Sequence, residues 1–130
     1  MIKRTNADDT YPVISAAGYV LQINGCGIDG RYGVGTLLEV VYGFELRLNN
    51  VCECRSAGAG MTLRALNNSR LENVSIDNCG SVSIPAVTFG KNSHGVCNAT
   101  YVKNMHIERL PGVDLDIAGA DPVNDYAEFT

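Results

Sequence analysis

The sequence predicts an all-β chain wound as a right-handed parallel β-helix of about four coils. Three observations carry that expectation. A six-residue apolar–polar pattern recurs four times, a second strand pattern is interleaved with it, and Gly or Asn stands where the chain must bend.

The first series occupies positions 21–26, 46–51, 74–79 and 105–110, the interval between starts widening slightly at each step. Repeats at periods of 20–50 residues decide architecture before any single strand does. Each segment reads apolar, polar, aliphatic, polar, bend residue, apolar. Alternation with period two marks a strand with one buried face. The fifth position, Gly25, Asn50, Asn78 or Arg109, interrupts it. Gly and Asn tolerate the left-handed backbone of a sharp bend, and Arg109 is the exception.

The second series occupies positions 35–40, 60–65, 85–90 and 112–117, almost evenly spaced. A slip of one in its third member points Val87 and Phe89 inward. Two series at one shared period describe a winding chain whose like positions stack at ~4.8 Å. The expected columns are Leu21, Leu46, Val74 and Met105; Ile23, Leu48, Ile76 and Ile107; and Cys26, Val51, Cys79 and Leu110. No 3.6-residue stripe persists for three turns, which argues against helices, and a sandwich of hairpins leaves the repeat register unexplained.

Composition narrows the function classes. Hydrophobic residues make up 45% of the 130 and charged residues 18%, so one packed domain, or a piece of a larger one, is expected. The net charge of −4, with both signs scattered, lacks the basic stripe of a nucleic-acid footprint. No apolar run approaches the ~18 residues of a membrane span. The first nine residues have no apolar stretch of a signal peptide, which leads to the expectation of a cytoplasmically made protein. The five cysteines, Cys26, Cys52, Cys54, Cys79 and Cys97, are an odd number and read as buried free thiols. Cys52 and Cys54 have no partner pair at zinc spacing, and neither a metal nor a cofactor is expected. Three sequons, 67–69, 73–75 and 98–100, read as turn and strand residues.

The coil length, the Asn at the bend and the run from Leu71 to Cys79 resemble the pectate-lyase-like right-handed parallel β-helix family across residues 18–119. In character the chain is most similar to bacteriophage tailspike β-helix modules. The resemblance implies a lead-in or cap at 1–17, the β-helix at 18–119 and a C-terminal tail at 120–130. It also implies a surface polysaccharide as partner, a homotrimer or a place in a longer β-helix, and a location in a virion tail. Lyases, hydrolases, epimerases and tailspikes share the fold, so activity does not follow from it.

In that family the groove lies along the first strands of each coil and the loops beside them. The outward positions here are expected to be Leu37, Thr62, Val87 and Asp114, then Glu39, Arg64, Phe89 or Thr88, and Asp116. Glu39, Arg64, Asp114 and Asp116 are the candidate substrate-binding residues, their charges suited to sugar hydroxyls or uronates. Solvated charges on an exposed sheet are the alternative. Asp114, Asp116, Arg64 and His94 are the candidate catalytic residues for a lyase or hydrolase. Asp114 and Asp116, two apart on one strand, lie about 6.6 Å from each other, a spacing open to an inverting acid–base pair. The run 93–95, Ser-His-Gly, resembles the Gly-His-Gly of polygalacturonases but lacks that family's acid pair and its Arg-Ile-Lys. A structural spacer without ligand is the third expectation. The loops from the second strand series to the first lengthen through the stack, and the longest, residues 90–104, is expected to form a wall.

Overall fold

The computed structural model describes residues 1–6, 8–108, 115–116 and 127–129. Within them the chain is all-β and winds as a parallel β-solenoid of about four turns. Strand β1 (Ile2–Lys3) precedes the stack. The first turn holds β2 (Ile14–Tyr19), β3 (Gln22–Asn24) and β4 (Gly27–Gly33). The second holds β5 (Leu38–Phe44) and β6 (Arg47–Ser56), and the third β7 (Met61–Arg64) and β8 (Leu66–Cys79). The fourth holds β9 (Val87–Gly90) and β10 (Asn98–Glu108); β11 (Leu115–Asp116) pairs with β9, and β12 (Ala127–Phe129) with β10. All these pairings are parallel, as in β6 on β8 and β8 on β10.

Sharp left-handed bends recur at five-residue steps along one side of each turn and stack between turns. Val20, Glu45, Asn68 and Ala99 form one ladder, and Gly25, Asn50, Asn73 and Asn104 a second. Arg55 and Asn78 form a third, where Arg31 and Tyr32 bend the first turn. All twelve have φ between 49° and 68°. Asn fits this region because its short amide also bonds locally. The Asn73 amide donates to Asn49 Oδ1 and the Asn104 amide to Asn73 Oδ1, both at 3.1 Å. The Asn68 amide donates to Glu45 Oε1 at 3.2 Å.

Between bends, alternate residues point into a dry interior. Ile23, Leu48, Leu71 and Val102 stack as one column, and Cys26, Val51, Val74 and Met105 as another. Leu38, Met61 and Val87, with Val40, Leu63 and Phe89, fill the opposite side. These pairings correct the expected register. The first two turns align as the repeat predicted, as do the last two. Between them the stack slips by one bend interval, so Leu48 meets Leu71 rather than Ile76. Val74 sits on Val51 and Cys79 on Ser56, so Cys26 and Cys79 belong to different columns. Leu46 stacks on Ser69, whose hydroxyl accepts from the Leu46 amide at 3.2 Å. The second series departs between its first two members, where Leu38 pairs with Met61 rather than Leu63, while Met61 pairs with Val87 by the slip of one expected of the third member. Arg109 and Leu110 lie outside the described residues.

No disulfide forms among the five thiols. Cys79 and Cys97 are buried and Cys26 and Cys54 half-buried, as expected of free thiols, but Cys52 is exposed. Burial pushes the Cys79 thiol up to about 12.

Two buried carboxyls behave oppositely. Glu53 occupies the interior column between Ile28 and Ile76, fully buried, with neither oxygen hydrogen-bonded among the described residues. Gly60 leaves it room, since a Cβ there would come within 2.9 Å of Glu53 Oε2 and 2.8 Å of Ile76 Cγ2. Burial raises the Glu53 pKa well above the ordinary 4.5, so the side chain is held neutral. Asp29 is also buried but bonds Arg55, and this bond holds its pKa below 3.8 against the opposing effect of burial.

The signs follow from linkage. Stability from neutral Glu53 is full below pH 4.5 and falls by about 1.4 kcal/mol per pH unit above it, until the raised pKa is reached. Stability from ionised Asp29 is present above pH 3.8 and is lost as pH falls through its lowered pKa. Urea unfolding should therefore show wild type weakening between pH 5 and 7.5 and Glu53→Leu nearly flat; equal slopes would place the carboxyl in contact with water. Val20 is β-branched, 60% exposed and left-handed at φ 54°. Val20→Asn should raise the unfolding free energy by about 1 kcal/mol in the same assay, since that backbone is least strained for Asn or Gly. No gain would mean that the Val20 side chain contributes packing equal to the strain.

Candidate functional site

The structure divides the sequence-predicted site. Glu39 pairs in register with Thr62, Thr62 with Thr88, and Thr88 with Asp116. Arg64 reaches back one turn and donates to Glu39 Oε1 at 2.9 Å, so these two candidates meet as a half-exposed ion pair. Leu37, expected to face outward, is instead buried at 0% exposure, whereas Val87 and Phe89, at 0% and 2%, face inward as the slip of one in the third member of the series expects. Leu38–Val40 pairs with Met61–Leu63, two residues from the expected register, and an even shift keeps Glu39 and Arg64 on the outward face. Thr62 is buried as well, and Thr88 is the half-exposed member. Asp114 lies outside the described residues, and of Asp116 the backbone register alone is described.

A different surface gathers around the first bend ladder. Tyr19, Phe44, Asn67 and Asn98 immediately precede Val20, Glu45, Asn68 and Ala99, and they stack in register through all four turns. This column lines a cleft of about 530 Å³, shared with Tyr42, Gly43, Ala65, His94, Gly95 and Val96. Tyr19 is 74% and Phe44 39% exposed, and their rings lie 5.7 Å apart at 54°. An extra residue in β5, where Ala16 pairs with Val40 but Ala17 with Tyr42, is a bulge beside the cleft. Bulges re-aim side chains, and Tyr42 here meets the His94 ring at 4.6 Å and 35°.

His94 reaches the cleft because the long loop folds down as a wall. Asn92 and Gly95 exchange backbone hydrogen bonds at 3.0 and 3.1 Å. The Asn92 amide donates to Val41 O at 2.6 Å, while its Oδ1 accepts from the His94 amide at 2.9 Å. One side chain thus closes the turn and ties it to β5. His94, named as a candidate catalytic residue, is in the site, although Arg64, Glu39 and Asp116 are not among the lining residues. No Asp or Glu is among the described residues that line it. No group of three or more His, Cys, Asp or Glu side chains among the described residues is placed to hold a metal ion.

Tyr19, Tyr42 and Phe44 were not singled out from the sequence, and Asn67 and Asn98 were read there as turn and strand residues. A signal existed: Tyr19 and Phe44 are separated by one repeat, each just before a bend. No protein-family model, curated protein or solved structure matches the chain.

The Asn92 tether is testable. Asn92→Ala removes hydrogen bonds worth about 1 kcal/mol each, so loop opening, read as tryptic cleavage after exposed Lys91, should accelerate at least fivefold. An unchanged rate would show that the Tyr42–His94 contact holds the loop alone.

Proposed function

We propose that this chain is a polysaccharide-recognition module of the β-helix type, with the cleft at the first bend ladder as its sugar site. The observation that carries the proposal is the in-register column Tyr19, Phe44, Asn67 and Asn98, walled by Tyr42 and His94. A pyranose has an apolar face of C–H groups and a rim of hydroxyls. Exposed aromatic rings suit the first and do so with few rotors to freeze. Asn amides carry both donors and acceptors and suit the second. A column rising one rung per turn also matches an extended polymer better than a small solute, because it offers successive contacts along one direction.

This reading agrees with the tailspike-like role that the sequence resemblance implies, in which the solenoid holds the glycan-binding face rigid. The parallel β-solenoid supports the architectural part of that role.

Screening the chain on a glycan array tests the proposal, followed by titration of the best ligand. Tyr19→Ala and Phe44→Ala should each weaken binding about tenfold, or about 1.4 kcal/mol, without lowering the melting temperature, because both rings are exposed. A glycan ligand whose affinity is indifferent to both substitutions would move the site elsewhere.

A further inference from the structure

We infer that Arg47 and Arg70, on the sheet face around the corner from the cleft, form an oxyanion subsite for a carboxylate or sulfate group carried on the polysaccharide. The inference rests on reading the cleft as a sugar site and specifies the chemistry of the sugar.

The argument begins with an electrostatic conflict. Gln22, Arg47, Arg70 and Tyr101 form one outward column, in which the two arginines are directly paired. Neighbouring rungs are ~4.8 Å apart, and like charges directly opposite repel. Of the other described arginines, Arg55 and Arg64 have carboxylate partners and Arg4 is bonded to three backbone carbonyls, while Arg31 is exposed without an ion pair but has no arginine beside it in register. Neither Arg47 nor Arg70 forms an ion pair among the described residues. Glu72, two positions along from Arg70, stands in register with Lys103 on the next rung.

Both guanidinium groups are nevertheless positioned. Arg47 Nη1 donates to Asn68 O at 2.8 Å and Leu46 O at 3.2 Å, which draws the side chain toward the corner. Asn68 immediately follows Asn67 of the cleft, so this group borders the proposed sugar site. Its Nε and Nη2 have no acceptor among the described residues. The Arg70 guanidinium lies over the Tyr101 ring at 5.6 Å, with all its donors unengaged among the described residues. Two such groups one rung apart, each with unengaged N–H donors, suit an anion with two or three oxygens, whose charge would also relieve their repulsion. A neutral glycan does neither.

The test compares the full chain with neutral dextran, polygalacturonate and dextran sulfate by affinity electrophoresis at fixed ionic strength. Wild type should bind at least one anionic polymer, and the comparison between them identifies carboxylate or sulfate. Arg70→Gln, at an exposed position, should weaken that binding at least tenfold, with Arg70→Lys intermediate because it keeps charge without the fork. Arg47→Gln should do the same, its fold checked by a thermal melt. Failure of wild type to bind either anionic polymer, or undiminished anionic binding by Arg70→Gln and Arg47→Gln, overturns the subsite. If only the arginine variants lose anionic binding and Tyr19→Ala and Phe44→Ala do not, the subsite holds and the cleft reading falls. If only the aromatic variants lose binding, the cleft stands and the subsite falls.

Discussion

The five-residue interval between left-handed bends constrains the rest of this molecule. Each bend turns the chain and resets which side chains face inward, so two interior residues fit between bends with little freedom in spacing. Because the bends stack in register, every interior residue is fixed above its counterpart, and the apolar columns follow. The Asn amides that bond from Asn49 through Asn73 to Asn104 reinforce one ladder. Where the bend residue is Val20, Glu45 or Ala99 instead, stacking holds a backbone that the residue itself disfavours. The stack also tolerates Glu53, whose neutral carboxyl is enclosed by its column and by the absence of a side chain at Gly60.

That same interval explains what was legible. The all-β class and the parallel winding follow from alternation, bend residues and repeat period, and these survive any error of register. The register did not follow, because the repeat is itself subdivided. Residues 66–79 carry Asn68, Asn73 and Asn78 at five-residue steps, so an aliphatic residue followed two positions later by Asn occurs more than once per turn. Matching 46–51 to 74–79 satisfied the pattern while skipping one corner. A shift of five preserves the inward and outward alternation, and composition alone offers little to penalise it. Ser69 and Thr100 were the clue: their buried hydroxyls break the apolar column, and a search for unbroken aliphatic columns rejects the correct alignment.

The candidate site was less legible for a related reason. Outward residues have no periodic hydrophobic signature, and their neighbours are known only once register is known. Placing Glu39 and Arg64 on one face required no fine register, and they do meet. Their pairing neutralises the charges that made them attractive as sugar ligands. His94 reached the cleft through a loop contact between positions far apart in sequence, from Asn92 to Val41, which no local pattern announces.

Why the cleft forms at the first bend rather than the others follows from where the chain can lengthen. The second corner lies well inside β6, β8 and β10 and the third inside β6 and β8, where an insertion would break the ladder, whereas the first lies between strands or within the first three residues of one. The connection between β9 and β10 is released from that pairing and can grow by residues without disturbing any column. Its added length folds against β5 at the bulge, where Tyr42 is re-aimed beside it. The aromatic and Asn column just before the bend therefore acquires a wall, and the arginine column just after it remains an open face. Recognition chemistry on both sides of one corner is thus a consequence of where the stack permits variation.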